Sequence, residues 1–549
     1  MGTKVRFAPS PTGNVHIGNI RTAIFNWLFA RHTNGKFLLR VEDTDKERSN
    51  QDAINKMLDS MLWLGLDYDE DIYYQSKHEE EHKIAAQKLV NENKAYYKPV
   101  PDGKNSPIIF RIPVSDDTMN IREVGNVSID IHSDVSICID QTGIKYANVS
   151  KKGKPVEFNG CLAGFKDLKV YDNENKLVFE LGNSFDEILK NNKSYSFENC
   201  SKISFLRREI FYNDLIKGEL SKPLDSIKDL IIIRSDGSPV FHLANVCDDA
   251  AQSITHIIRG DDHVENSYRH ILLFRALGYD VPEYAHMPMI VNKAGKPYSK
   301  RDGDAFVGDF NKNGYLADAL FNYLSLLGWS PGDDREKMTK AEMIEAFTLD
   351  RVKSSPAQLD FNKLLSLNGL YMADLPHVSF LQSAYDEAVS QRWGNSIEST
   401  VLFEQVSNLF QSRTKLFSQV AEWKYFFVDD SPFFAAGAEI DDDSLCRMFD
   451  YDMKAVKKVF KKEELIQGLI IFKQKLDLVS GLDNEKVTSI IREAELDSQL
   501  EEGKLNQPLR IAVTGRTGGA GIDETLVLIG KERIVERLDY FLEAIKGLV

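Results

Sequence analysis

The 549-residue chain has only five cysteines, Cys138, Cys161, Cys200, Cys247 and Cys446, and no two of them form a Cys-x-x-Cys pair. An odd, scattered set of thiols excludes a disulfide-framed fold and offers no tetrahedral zinc site. Reduced, unpaired cysteines are the reading that follows. Long apolar runs are missing as well: no stretch approaches the ~18 residues needed to span a bilayer. Met1-Gly2-Thr3-Lys4 leads straight into a strand pattern, with no apolar core of a signal peptide and no Arg- and Ser-rich presequence. A cytoplasmic protein with no membrane partner is expected. Cationic excess is the third absence. With 68 basic and 83 acidic residues the formal charge is -15, which excludes a uniformly basic nucleic-acid binder.

The charge is unevenly spread. Residues 1–114 carry +1, 115–206 carry -3, 207–370 carry -4 and 371–549 carry -9, while the first 40 residues hold six basic side chains and no acid. That bias points to an anionic ligand near the N-terminus. A hydrophobic fraction of 42% is ample for a core, and the length implies about three to five domains.

Lys4 to Ala8 reads as a strand, broken by Pro9-Ser10-Pro11-Thr12-Gly13. A helix is predicted from Gly18, with Ile20, Ala23, Ile24, Trp27 and Leu28 on one face. Phe37 to Val41 reads as a buried strand that ends in Glu42, Asp43 and Asp45, and helices are predicted over 50–64 and 77–93. This alternation argues for a parallel sheet covered by helices. Residues 115–206 differ. Val127, Ile129, Ile131 and Val135, Ile137, Ile139 alternate with polar residues and predict a hairpin turning at His132-Ser133-Asp134. A second hairpin is predicted for 169–171 and 177–181. The α/β pattern resumes with strands at 230–233 and 254–258 and a helix over 268–277 ended by Gly278. A further helix over 315–327 is closed by Gly328. Beyond residue 370 helical periodicity dominates.

Three stretches carry chemistry. Pro9 to Asn19, centred on Val15-His16-Ile17-Gly18-Asn19, lies between a strand and a helix. That is where open α/β sheets bind ligands and where a helix N-terminus offers N–H groups to phosphates. His16 can donate to a phosphate oxygen, or simply satisfy backbone groups in a turn. Lys296-Pro297-Tyr298-Ser299-Lys300-Arg301 is a basic loop suited to a polyphosphate in its transition state, or to solvent. Arg6, Ser10, Glu42 and Arg259 combine one carboxylate with two guanidinium groups. They suit an amino acid bearing an extra carboxylate, with Glu42 on the ammonium and the arginines on the side chain. Ordinary ion pairing is the plainer alternative.

Taken together and in order, these stretches resemble bacterial-type glutamyl-tRNA synthetase, a class I aminoacyl-tRNA synthetase. The resemblance rests on Phe7-Ala8-Pro9-Ser10-Pro11-Thr12-Gly13, His16-Ile17-Gly18, Arg21-Thr22-Ala23, Leu39-Arg40-Val41-Glu42-Asp43-Thr44-Asp45, Ile257-Ile258-Arg259-Gly260, Ala285-His286-Met287-Pro288, Ser299-Lys300-Arg301-Asp302-Gly303 and Thr514-Gly515-Arg516-Thr517. It covers nearly the whole chain except 115–206.

The resemblance implies an α/β fold: a Rossmann-like catalytic domain from 1–95 and 242–298, and an inserted acceptor-end domain, 96–241, carrying an extra β-rich insertion at 115–206. A stem-contact region at 299–370 and a helical anticodon-binding domain at 371–549 complete it. It implies glutamate–tRNA ligase activity with ATP and Mg2+, on L-glutamate and tRNA(Glu), by a monomer. His16 and Lys300 would be catalytic. Pro9, Thr12, Gly13, His16, Gly18, Asn19, Ser299, Lys300 and Arg301 would bind ATP. Arg6, Ala8, Ser10, Glu42, Phe241, Asn245 and Arg259 would bind glutamate. The chain departs from the family at Asn19, where a histidine is common, at Phe241, where relatives place a tyrosine, and at Pro297, where many have lysine. It has no cysteine cluster after 95–98, so no zinc is expected. A glutaminyl-tRNA synthetase would have a β-barrel anticodon module. A truncated relative that modifies a tRNA base, or a free-standing nucleotidyltransferase, would lack the helical tail. A tRNA-binding paralogue without activity would not keep His16, Lys300, Glu42, Arg6 and Arg259.

Overall fold

The computed structural model describes residues 2–11, 15–44, 51–98, 100, 105–113, 120–150, 152–182, 184–299, 305–428 and 451–546. The chain divides into two compact units, residues 1–309 with 321–359, and residues 310–320 with 360–549.

The first unit opens with parallel strands. Lys4–Phe7 pairs with Lys36–Val41, which pairs with Tyr73–Tyr74. The crossover is the helix Ile17–His32. It starts because His16 Nδ1 accepts the Gly18 N–H at 3.2 Å, and Arg31 and His32 in its last turn suit the dipole. The helix is buried on more than the predicted face: Phe25 meets Phe347 and Trp27 meets Phe321 edge-on. A helix apolar on several sides is one covered on several sides.

Two more parallel strands, His256–Gly260 and Glu283–Met287, place Arg259 beside His286. They abut the first three where the Thr255 N–H donates to the Lys4 carbonyl at 3.0 Å and the Lys4 N–H to the Thr255 hydroxyl at 2.9 Å. The chain winds outward in opposite directions from this seam, so the carboxyl ends at Phe7 and Gly260 flank a crevice.

The 15-residue strand Cys200–Asp214 ties the strand-rich region to this sheet. It pairs antiparallel with Ile121–Asp130, Phe165–Asp172 and Gly218–Pro223, and its last residue pairs parallel with Tyr284. The hairpin expected across 127–139 does not form. Ile137–Asp140 instead lies between Tyr195–Phe197 and Gly143–Val149 in a separate four-stranded sheet. Alternation dictates which face is buried, not which strand is the neighbour. Here Ile137 and Ile139 share a core with Ile131, Phe165 and Phe205. The second expected hairpin does form, with Val170 opposite Phe179. Leu230–Ile233 leaves the parallel sheet and pairs antiparallel with Ile108–Phe110 beside Ala95–Tyr97.

The second unit is helical among the described residues. Helices such as His377–Ser390, Thr400–Phe410, Glu463–Asp477, Asn506–Thr514 and Lys531–Ile545 enclose Phe380, Phe403, Trp423, Phe472, Leu509 and Phe541. Arg537 is buried among them and donates to the Val513 and Tyr425 carbonyls at 2.9 and 2.7 Å, which satisfies carbonyls in the last turns of two helical segments. No described helix is long and apolar enough to cross a membrane.

The junction of the strand-rich region with the rest is tight at Gly164. A Cβ there would lie 2.3 Å from the Asp225 backbone nitrogen, whereas one at Gly182 would meet nothing within 4 Å. Gly164→Ala is expected to destabilise the first unit by about 1–3 kcal/mol, with Gly182→Ala near neutral. Urea denaturation of both variants checks this.

Candidate active site

A cavity of about 780 Å³ opens at the crevice. The residues predicted from sequence that line it are Arg6, Ala8, Pro9, Ser10, His16, Gly18, Asn19, Glu42, Phe241, Asn245 and Arg259. Ser299 is exposed and is not part of the wall, although Pro297 and Tyr298 are. Thr12, Gly13, Lys300 and Arg301 lie outside the described residues.

His16 sits where its backbone and ring serve different ends. Its flanks are tied to the segment after the basic loop: the Ile17 N–H donates to the Ala305 carbonyl at 2.9 Å and the Val307 N–H to the Val15 carbonyl at 3.2 Å. The imidazole Nδ1 accepts from Gly18, so the neutral ring carries its proton on Nε2. The backbone-capping reading of His16 is thus met by Nδ1. The helix N-terminus adds its dipole beside the Nε2 donor.

The other end of the cavity is a buried charge network. Glu42 Oε1 accepts from Arg40 Nη2 at 3.2 Å and from Asn245 Nδ2 at 2.8 Å. Burial pushes the Glu42 carboxyl above its ordinary value, against the pull of Arg40 and Arg6. Asn245 keeps its buried Oδ1 without a hydrogen-bond partner. Arg6 donates from Nε to Asp249 Oδ1 at 2.9 Å, and Arg40 donates from Nη1 to the same oxygen at 2.5 Å. Arg259 is different. Its guanidinium is buried and donates to Ser267 Oγ at 2.6 Å, to His286 Nε2 at 3.3 Å and to the His263 carbonyl at 3.3 Å. No described carboxylate lies within ion-pairing distance of it, and burial lowers its affinity for its proton. A desolvated cation facing a cavity without an anionic partner is a site for an anion.

Sequence reasoning missed the groups that hold these side chains, namely Arg40, Asp249, Asp214 and His286. A signal existed for one of them: Arg40 interrupts the apolar run Phe37-Leu38-Leu39 and Val41, and a charge inside a buried strand must be paired. Among the described residues no cluster of three or more His, Cys, Asp or Glu is arranged to hold a metal ion.

The comparisons with known proteins agree with this architecture. Residues 3–102 and 180–366 match the family described as tRNA synthetases class I (E and Q), catalytic domain, and residues 380–542 match the anticodon binding domain family. The fold is therefore that of a class I aminoacyl-tRNA synthetase: a Rossmann-like catalytic domain, a strand-rich insertion and a helical C-terminal region. The chain is 32% identical over 551 residues to the glutamate–tRNA ligase of Legionella pneumophila (strain Lens), spanning 100% of this chain and 99% of that protein. It is 33% identical over 540 residues to the glutamate–tRNA ligase of Francisella tularensis subsp. novicida (strain U112), spanning 98% of each. A crystal structure of a glutamate tRNA ligase from Elizabethkingia meningosepticum CCUG26117, in complex with its amino acid, shares the fold with TM-score 0.64 at 23% identity over 99% of both chains. The chain belongs to the glutamate–tRNA ligase family. Residues 103–179 fall outside the catalytic-domain match but inside the span shared with the Legionella protein.

Asp249 holds two buried guanidinium groups. Burial opposes its ionisation, but Arg40 and then Arg6 keep its carboxyl below the ordinary value. The stability it contributes is thus full above the unfolded pKa and is lost as pH falls through the lower folded one. Asp249→Ala is expected to cost about 3–5 kcal/mol at neutral pH. Calorimetry of the variant checks this, and a melting point within a degree or two of the unaltered protein would reject it.

Proposed function

We propose that the chain activates L-glutamate with ATP, releasing diphosphate, and passes the glutamyl group from the adenylate to the 3′-terminal adenosine of tRNA(Glu). The observation that carries this reading is Arg259, a buried cavity-lining guanidinium with no described carboxylate partner. It takes the side-chain carboxylate, with a remaining N–H of Arg6 beside it. The α-ammonium donates to Glu42 and to the unpartnered Oδ1 of Asn245. Phe241 closes the wall without a hydroxyl. The α-carboxylate is then free to attack the α-phosphorus, and diphosphate leaves on the opposite side.

ATP enters over Pro9, Gly18 and Asn19, and Mg2+ comes with it as part of the substrate. His16 donates from Nε2 to a phosphate oxygen as negative charge builds. Thr12, Gly13, Ser299, Lys300 and Arg301 complete the nucleotide contacts in this reading, with Lys300 as the second catalytic cation. Residues 1–95 and 242–298 serve as the catalytic domain, 96–241 meet the acceptor end, 299–370 contact the stem and 371–549 read the anticodon. The protein works in the cytoplasm as a monomer.

ATP–pyrophosphate exchange with tRNA present tests the assignment. Exchange is expected with glutamate and tRNA(Glu) together and not with glutamine; equal exchange with glutamine would defeat the Arg259 account. Lys300→Ala is expected to lower exchange by about 100-fold while leaving tRNA affinity within about twofold, and a loss confined to tRNA binding would contradict its role.

The pH profile adds a separate check. Glu42 must be ionised to accept the ammonium, and its carboxyl lies above the ordinary 4.5. The kcat/KM for glutamate should therefore fall with decreasing pH along a limb centred above 4.5. A limb at or below that value would separate Glu42 from ammonium binding.

A further inference from the structure

Arg259 lines the cavity and is held from behind by Asp214, His286 and Ser267, which do not line it. Asp214 Oδ2 accepts from His286 Nδ1 at 2.6 Å, and its two oxygens also accept the backbone N–H groups of His286, Ile216 and Lys217 at 2.9 to 3.2 Å. The Asp214 and His286 side chains are fully buried. The far nitrogen of the ring, Nε2, lies 3.3 Å from Arg259 Nε and 2.9 Å from Ser267 Oγ. Ser267 Oγ in turn accepts from Arg259 Nη2 at 2.6 Å. The Tyr284 ring lies parallel to the imidazole, with centroids 5.8 Å apart, and Arg259 packs over that same tyrosine at 5.5 Å.

Only one proton arrangement satisfies these contacts. A guanidinium Nε is always a donor, so Nε2 must present a lone pair to it. That requires the proton on Nδ1, where the Asp214 carboxylate receives it. With the proton on Nε2, two N–H groups would face each other in a buried space and Arg259 would turn away.

We infer that His286 is a positioning residue for substrate selection: Asp214 fixes its tautomer, and its Nε2 aims the Arg259 guanidinium at the carboxylate that distinguishes an acidic amino acid from its amide. This rests on the reading of Arg259 given above and names the device that sets its direction. The same constellation of carboxylate, imidazole and hydroxyl occurs in nucleophilic hydrolases. Here the hydroxyl is buried and already engaged by Arg259, so it orients a cation and attacks nothing. Asp214 ends the strand Cys200–Asp214, so the relay also anchors the strand-rich region to the amino-acid site.

The test is exchange by the full-length protein with tRNA(Glu), titrating glutamate and ATP separately. His286→Leu should raise the KM for glutamate by about 10- to 100-fold, with kcat and the KM for ATP within about threefold. His286→Gln places an amide oxygen where Nε2 sits and should recover most of the loss. Asp214→Asn turns an amide N–H toward Nδ1, reverses the tautomer and should reproduce the glutamate KM defect. An unmoved glutamate KM in His286→Leu or Asp214→Asn, equal rises in the KM for glutamate and ATP, or a glutamine variant no better than leucine would each overturn the inference. Should His286→Leu fail to fold, His286→Gln and Asp214→Asn decide it by the same criteria. Absence of glutamate-dependent exchange in the unaltered protein would instead overturn the substrate reading, and the inference with it.

Discussion

The Asp249 carboxylate, shared between Arg6 and Arg40, is the contact on which the rest of the site depends. It projects from the helix Phe241–Ala251 and meets guanidinium groups from two neighbouring strands. Arg40 then reaches Glu42. Each link compensates a charge that could not stay buried alone. Arg40 also feels the buried carboxylate of Asp248, and Arg259 is linked through His286 to the buried carboxylate of Asp214. Of Arg6, Arg40 and Arg259, it is Arg259 that has no described carboxylate within ion-pairing distance, and it lines the cavity wall.

Much of the parallel framework was legible in the residues themselves. Lys4–Phe7, Ile17–His32, Lys36–Val41 and Val264–Leu277 fall close to where apolar periodicity and the breakers Pro9 and Gly278 put them. The cavity residues were legible by type, because they stand at strand ends and helix starts where an open sheet binds ligands. Strand pairing in 115–206 was not. Alternation at 127–139 is real, yet Ile121–Asp130 and Ile137–Asp140 belong to different sheets, and nothing in a two-residue period names a partner. The supporting charges were hidden for another reason. Arg40 lies in a segment read as a buried strand, and Asp214, Asp249 and His286 lie in segments to which apolar periodicity assigned no element. Their meaning appears only when distant segments bring opposite charges face to face.

The strand Cys200–Asp214 shows how an insertion can be large without being loosely attached. Most of its length serves as the backbone of the strand-rich region, where Ile203 and Phe205 enter that region's core. Its last turns of pleat carry Ile210 and Tyr212 into the core beneath the parallel strands. One continuous element therefore belongs to two cores, and the end nearest the cavity delivers a carboxylate to a fixed point.

The seam between Lys4 and Thr255 has a consequence for how the protein is made. The contacts that define the amino-acid pocket join residues 203 and 243 positions apart, as in Asn245 with Glu42 and Asp249 with Arg6. During synthesis the first strands and the helix Ile17–His32 emerge with Arg6, Arg40 and Glu42 but without the helix whose Asp249 pairs with both arginines. Such long-range closure is slow and leaves surface exposed meanwhile. A ribosome that stalls before residue 249 leaves a fragment whose Arg6 and Arg40 lack the Asp249 carboxylate they share in the folded protein. The pocket cannot be complete before the helix Phe241–Ala251 and the strand His256–Gly260, which carry Asn245, Asp249 and Arg259, have been made.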